Sequence, residues 1–205
     1  MNQMEHKPYA QLPHKKATFM AFVDAVIPPP LGGVSIQLDD YLVWILDHHI
    51  SMQEKLSVKT VLLSTPAAAM LDASATQLMA LKGMKTSADL PTYPQEGAFA
   101  ALWPSDRFEA IRLLETLQID LEALPSPYRN NADLVKNIVT FLHQMAMFGY
   151  YSEWFAYGST RLAYPEDRVL EGRSFTWDLV DYPGVSYGYR ALRGFPVVEF
   201  TEKEI

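Results

Sequence analysis

Three groupings of side chains in this sequence could carry chemistry. The first is Asp47-His48-His49, with Asp39 and Asp40 one to two turns earlier, since carboxylates and imidazoles are donor types that hold metal ions. His48 and His49 are adjacent, so on a helix they diverge by about 100° and do not easily reach one ion together. No Glu-x-x-His and no His-Glu-x-x-His occurs, so a di-iron bundle or a zinc protease lacks its ligands. The second is His143, which falls among apolar residues and reads as a hydrogen-bonded helix residue rather than a base. The third is a set of acids, Glu153, Glu166, Asp167, Glu171 and Asp178, interleaved with Arg161, Arg168, Arg173, Arg190 and Arg193. Paired carboxylates in a cleft could do general acid–base work, and mutual ion pairing is the plainer account. No Gly-x-Gly-x-x-Gly, P-loop or Gly-x-Ser-x-Gly is present, so no catalytic residue, metal ligand or cofactor is assigned to this chain.

Composition narrows the classes further. The chain has 205 residues, enough for one sizeable core, with a formal net charge of −7. That balance argues against nucleic acid as a partner, because phosphate binding needs clustered Lys and Arg. The only basic cluster, Lys7, His14, Lys15 and Lys16, reads as a solvated segment. Cysteine is absent, which excludes disulfides, thiolate metal sites, cysteine-ligated iron–sulfur clusters and a cysteine nucleophile, and fits a reducing cytoplasm. No apolar run is long enough to span a bilayer, so direct membrane insertion is not expected. Ala17 to Ile27 carries Asp24 and runs into three prolines, so it reads as a helix and not as a signal peptide.

The elements that must position these residues follow from spacing and punctuation. Residues 1–12 are polar and expected to be flexible. A first helix is predicted from His14 to Ile27, with Phe19, Phe22, Val23 and Val26 inward, stopped by Pro28-Pro29-Pro30. Ser35 is the candidate cap of a second helix reaching His49, with Leu38, Tyr41, Leu42 and Ile45 inward and Gln37, Asp40 and Asp47 outward. Periodicity does not separate strand from helix between residues 54 and 64. Thr65 is the expected cap, with Pro66 at the first helical position, of an alanine-rich helix that Gly83 ends, and a long Pro/Gly-containing connection follows. Ser105 is the candidate cap of a helix to Ile119 that packs through Phe108, Ile111, Leu114 and Leu117. Asn131 caps the longest helix, whose stripe is Leu134, Ile138, Phe141, Leu142, Met145 and Phe148, and which ends between Gly149 and Trp154. These elements predict one all-α domain, residues 1–205. Residues 13–152 form an irregular bundle of five or six helices, and residues 153–205 form an aromatic, Gly/Pro-rich tail wrapping it.

That tail has little periodicity and too many aromatics to remain disordered, so it must lie against something. It either fills grooves of its own bundle or offers a contact surface, since Trp and Tyr dominate binding hot spots. On the second reading the partner-binding residues are Tyr150, Tyr151, Trp154, Phe155, Tyr157, Tyr182, Tyr187 and Tyr189 as anchors, with Gly158, Pro183 and Gly184 shaping the backbone.

Two segments carry a family resemblance. Phe19-Met-Ala-Phe-Val-Asp-Ala-Val-Ile-Pro28 resembles the opening of the gluconate 2-dehydrogenase subunit 3 family. Phe148-Gly-Tyr-Tyr-Ser-Glu-Trp154, then Tyr157-Gly158 and Tyr182-Pro-Gly184, resembles its closing region. The resemblance implies a small accessory subunit without a redox centre, which aids the assembly, stability or export of a large flavin-dependent dehydrogenase of the glucose–methanol–choline class. FAD is then expected on that partner, and a multihaem cytochrome often joins the complex. Many members of the family begin with a twin-arginine export signal; none is visible here, so the expectation is cytoplasmic, or periplasmic if a partner carries the chain out. Two other readings stay open. One is an enzyme whose site lies between tail and bundle, and the other is a self-associating helical protein.

Overall fold

The computed structural model describes residues 13–28, 31–48, 52–53, 60–83 and 97–184. Six α-helices occur among them: α1 (Pro13–Val26), α2 (Leu38–His48), α3 (Ser64–Lys82), α4 (Pro104–Glu115), α5 (Ala132–Tyr151) and α6 (Phe175–Leu179). The described residues are all-α apart from one minimal antiparallel pair, β1 (Met52–Gln53) with β2 (Thr60–Val61), in register Met52 to Val61 and Gln53 to Thr60. That pair answers the ambiguity between residues 54 and 64 in part, since residues 54–59 lie outside those described, as do residues 1–12 and 84–96.

Helix α1 is central and packs on α2, α3 and α4, burying Phe19, Phe22 and Val23 as their spacing predicts. Helix α5 lies across α2 and α4. Most of the buried apolar residues form one contiguous cluster that runs from α1 to α5 and reaches Trp154 of the tail. Asn131 caps α5 as expected, its side-chain oxygen accepting from the Leu134 amide at 3.2 Å. Gly83 closes α3 in the left-handed region at φ 61°, with its amide on the Ala80 and Met79 carbonyls.

Several expected details are corrected by tertiary contacts. Ser35 does not cap α2; it is exposed, and the chain turns through Gly32 and Gln37, at φ 73° and 57°, before the helix begins at Leu38. Asp40 and Asp47 are buried rather than outward, because each meets a partner distant in sequence. Lys16 lies 3.7 Å from Asp40, and the Asp47 carboxylate accepts from the Ser64 amide at 2.9 Å and the Ser64 hydroxyl at 2.7 Å. Asp47 thereby serves as the cap of α3 from another helix, the role expected of Thr65. Lys15 completes this buried knot with 3.0 Å to the Ser64 hydroxyl.

Helix α4 begins at Pro104 with no side-chain cap, so Ser105 lies inside it, and it ends at Glu115 rather than Ile119. Its buried stripe is Arg107, Ile111 and Leu114, while Phe108 faces out at 54% exposure. Arg107 takes the inward position because Asp24 of α1 waits there at 2.9 Å, and an ion pair removed from water must be closed on both sides. Its other terminal nitrogen donates to the Ala100 carbonyl at 2.9 Å.

Candidate functional site

The site is built where α5 runs out. Helix α5 passes α2 at Gly149, where a β-carbon would stand 2.5 Å from Cδ1 of Tyr41 and 3.0 Å from Cδ2 of Leu38. The absence of a side chain lets the Tyr41 ring lie against the helix. Because Gly149 holds the inward position, Phe148 is turned outward, 62% exposed, where the apolar spacing placed it in the core stripe. The next two residues divide: Tyr150 is buried and donates its hydroxyl to the Leu31 carbonyl at 2.8 Å, whereas Tyr151 is 42% exposed. Ser152 turns the chain, donating to the Gly149 carbonyl and accepting from the Trp154 amide. Trp154 then re-enters the core, its indole Nε1 donating to the Gln37 carbonyl and its ring 5.1 Å from that of Tyr41.

Beyond Trp154, residues 156–172 form a closed loop. The Glu171 and Gly172 amides both donate to the Ala156 carbonyl, at 2.8 and 3.2 Å, and Thr160 Oγ1 bonds the backbone of Val169 in both directions. The Glu171 carboxylate accepts from the Ser159 amide at 2.9 Å and from the Ser159 hydroxyl, which holds its carboxyl below the ordinary range. Gly158, at φ 50° and ψ −119°, leaves room for that carboxylate.

The loop delivers Arg168 back onto the bundle. Its guanidinium carbon sits 4.2 Å from the ring centroid of Trp44 on α2 and 5.8 Å from those of Trp154 and Tyr157. Nε donates to the Ala163 carbonyl at 3.2 Å, and Nη2 is buried with no hydrogen-bond partner. Burial pulls its pKa below the ordinary arginine range. Burial also pushes the Tyr41 hydroxyl up to about 12, against the opposing pull of the Arg168 charge. The expected ion pairing of tail acids and arginines therefore holds for Arg173 with Asp178, at 3.1 Å, but not for Arg168.

Helix α6 fixes the last described stretch. Trp177 is buried and donates to the Tyr151 carbonyl at 3.2 Å, with the Tyr182 ring edge-on at 5.2 Å. Arg173 binds the Tyr182 and Pro183 carbonyls at 2.8 and 3.3 Å, and Gly184 lies against the Trp177 ring. Phe175 meets Tyr150 and Phe155 edge-on, at 6.2 and 6.0 Å.

Two clefts result, side by side. The first, about 450 Å³, is lined by Tyr41, Trp44, Ile45, Met145, Trp154, Tyr157, Pro165 and Arg168. The second, about 480 Å³, is lined by Met147, Tyr151, Val180 and Tyr182. Phe148, Ser152 and Glu153 belong to both and form the ridge between them.

Those of the partner-binding residues singled out in the sequence that are described are thus gathered at one end of the bundle but play different parts. Tyr150 and Trp154 are core residues, Tyr157 lines the first cleft, Tyr151 and Tyr182 line the second, and Phe155 is exposed beside Phe175. Gly158, Pro183 and Gly184 shape or continue the backbone, and Tyr187 and Tyr189 lie outside the described residues. Sequence reasoning did not place Met147, Phe175, Val180 or Trp44 here, and it did not single out Arg168 from the other tail arginines. The one available signal was Gly149, since a glycine inside a long helix often marks a close approach and displaces its neighbours from the stripe.

Among the described residues no group of three or more His, Asp or Glu could hold a metal ion. His48 bonds the Trp44 carbonyl at 2.8 Å and His143 meets Glu115 at 2.8 Å. No described helix is long and apolar enough to cross a membrane. The chain matches no protein-family model, no curated protein and no solved structure.

Proposed function

We propose that this chain is a non-catalytic accessory subunit that docks on a larger protein through the end of α5 and the adjoining tail. The observation that carries the reading is the exposure of neighbouring apolar side chains at one end of the molecule. Met147, Phe148, Tyr151, Val180 and Tyr182 border a single cleft at 39 to 62% exposure, and Phe155 and Phe175 adjoin them. Isolated exposed apolar residues are ordinary, but a contiguous group marks an interaction surface. Rings held by edge-on contacts and by backbone hydrogen bonds lose little freedom on binding, which favours affinity.

The partner we propose is a large flavin-dependent dehydrogenase of the glucose–methanol–choline class, carrying FAD. This identification draws on the resemblance of the two segments quoted above to the gluconate 2-dehydrogenase subunit 3 family. In this reading Tyr150 and Trp154 support the face from beneath, and Tyr151, Phe155 and Tyr182 touch the partner. The proposed compartment is the cytoplasm, or the periplasm when the partner carries the chain across. Affinity purification of the tagged chain from its native host, with an absorbance scan of the eluate for oxidised flavin, tests the reading. A stoichiometric flavoprotein is expected; a chain recovered alone contradicts it.

A further inference from the structure

Arg168 stands in an arrangement that docking through the neighbouring face does not use. Its Nε is taken by the Ala163 carbonyl, and its Nη2 is enclosed without an acceptor. This leaves Nη1 as the nitrogen with access to solvent. No described acid lies within ion-pairing distance of the guanidinium. A half-buried cation with no counter-charge beside it favours an anion that completes it.

The surroundings specify what sort of anion. Trp44 lies under the guanidinium at 4.2 Å. An arginine held by its face against an indole keeps its hydrogen-bonding edge clear, and here Nη1 can donate one charge-assisted bond to a carboxylate oxygen. Most of the remaining lining is apolar, with Tyr41, Ile45, Met145, Phe148 and Trp154 offering rings and aliphatic surface. Its volume of about 450 Å³ falls within the ordinary range for small-molecule sites. The loop bearing Arg168 is closed by the Ala156, Ser159 and Thr160 bonds to residues 169–172, so the cation is positioned before any ligand arrives. Glu153 also lines the cleft and would repel a second negative charge, which disfavours phosphate and dicarboxylates.

We propose that this cleft binds a small organic monocarboxylate with a flat apolar body, its carboxylate paired with Arg168 and its body lying against Tyr41, Trp154 and Phe148. The site is one of binding, with no reaction assigned to it; it shares Phe148 with the docking face, and its test needs no partner protein.

Trp44 and Trp154 line the cleft, so their fluorescence reports occupancy in the full chain. The probes are butyrate, benzoate and 4-phenylbutyrate, each titrated beside its neutral amide. Saturable binding is expected for 4-phenylbutyrate, with its amide weaker by about tenfold or more, the usual effect of losing a charge-assisted hydrogen bond. Butyrate, which lacks the ring, should bind more weakly than 4-phenylbutyrate. Arg168→Gln should remove the preference for acid over amide, and Arg168→Lys should keep part of it. Glu153→Gln should tighten the acids by a few fold and leave the amides unchanged. Circular dichroism on each variant confirms that it is folded. Equal binding of acid and amide by the unaltered chain, no saturable binding by any of the three acids, or an acid preference that survives in folded Arg168→Gln would overturn the proposal.

Discussion

The indole Nε1 of Trp154 donates to the backbone carbonyl of Gln37 at 3.0 Å, joining positions 117 residues apart in the chain. Gln37 is itself held at φ 57°, in the turn that starts α2, and that turn aims its carbonyl at the tail. The bond ties the start of the tail to the bundle, and the neighbouring Tyr150 to Leu31 bond repeats the device one helical turn earlier. The tail's first residues are therefore part of the core, and its exposed rings stand on a fixed base.

Trp154→Ala should cost about 3–5 kcal/mol in urea unfolding, the usual range for deleting a buried large aromatic side chain. Phe148→Ala, six residues earlier and mostly exposed, should change stability by no more than about 0.5 kcal/mol. Similar losses for both would mean that Phe148 is also packed and that the surface is not free.

Gly149→Ala separates helix propensity from packing. Alanine is better than glycine inside a helix by about 1 kcal/mol. The added β-carbon would lie 2.5 Å from the Tyr41 ring, and forcing atoms into a filled site costs about 1–3 kcal/mol. Net destabilisation is expected, with a change in near-ultraviolet circular dichroism from Tyr41 and Trp154. A stabilised variant would show that α2 and α5 do not approach this closely.

Gly158→Ala should open the loop that carries Arg168. The backbone there is at φ 50° and ψ −119°, which only glycine adopts readily, and a β-carbon would fall 1.9 Å from the Glu171 carboxylate. A cost of about 1–3 kcal/mol and faster proteolytic cleavage between Ser159 and Glu171 are expected. Unchanged cleavage would show that the Glu171 contacts do not latch the loop.

Much of the helical frame was legible because its signals are local. Asn131 before an apolar stripe, the prolines after Ile27 and Gly83 after Lys82 each act on the backbone within a turn of themselves, whatever the rest of the chain does. The buried charged residues were not legible, because Asp40, Asp47 and Arg107 face inward only by virtue of Lys16, Ser64 and Asp24 on other helices. Phe108 and Phe148 fit an apolar stripe by spacing, yet Arg107 and Gly149 hold the inward positions beside them. The clustering of tail aromatics at one end of the bundle could be anticipated from their density. The assembly of Trp44 with Arg168 could not, since it unites α2 with a loop more than a hundred residues later.

Asp39 gives a pH dependence with a definite sign. Burial, helped by the Asp40 charge and opposed by Lys16, raises its carboxyl from 3.8 to about 6 in the folded chain. The folded state therefore holds the proton more tightly than the unfolded state. Its contribution is fully present below pH 3.8 and is lost as pH rises through about 6. A shift of this size corresponds to about 3 kcal/mol at the upper limit. Asp39→Asn should accordingly raise the melting temperature at pH 8 and have much less effect at pH 4. An equal effect at both pH values would show that the buried charge is not the cause.

The most direct test of the docking account compares surface variants inside and outside the proposed face in the native host. The tagged chain, a Phe148→Asp/Tyr182→Asp double variant, and a Tyr164→Asp control on an exposed residue outside both clefts are each purified from cells. The flavoprotein recovered per mole of tagged chain is then measured. The account predicts stoichiometric flavoprotein with the unaltered chain and the control, and a loss of at least about tenfold with the folded double variant, as expected when central apolar anchors are replaced by charge. Flavoprotein recovered equally with all three, or with none, would contradict it.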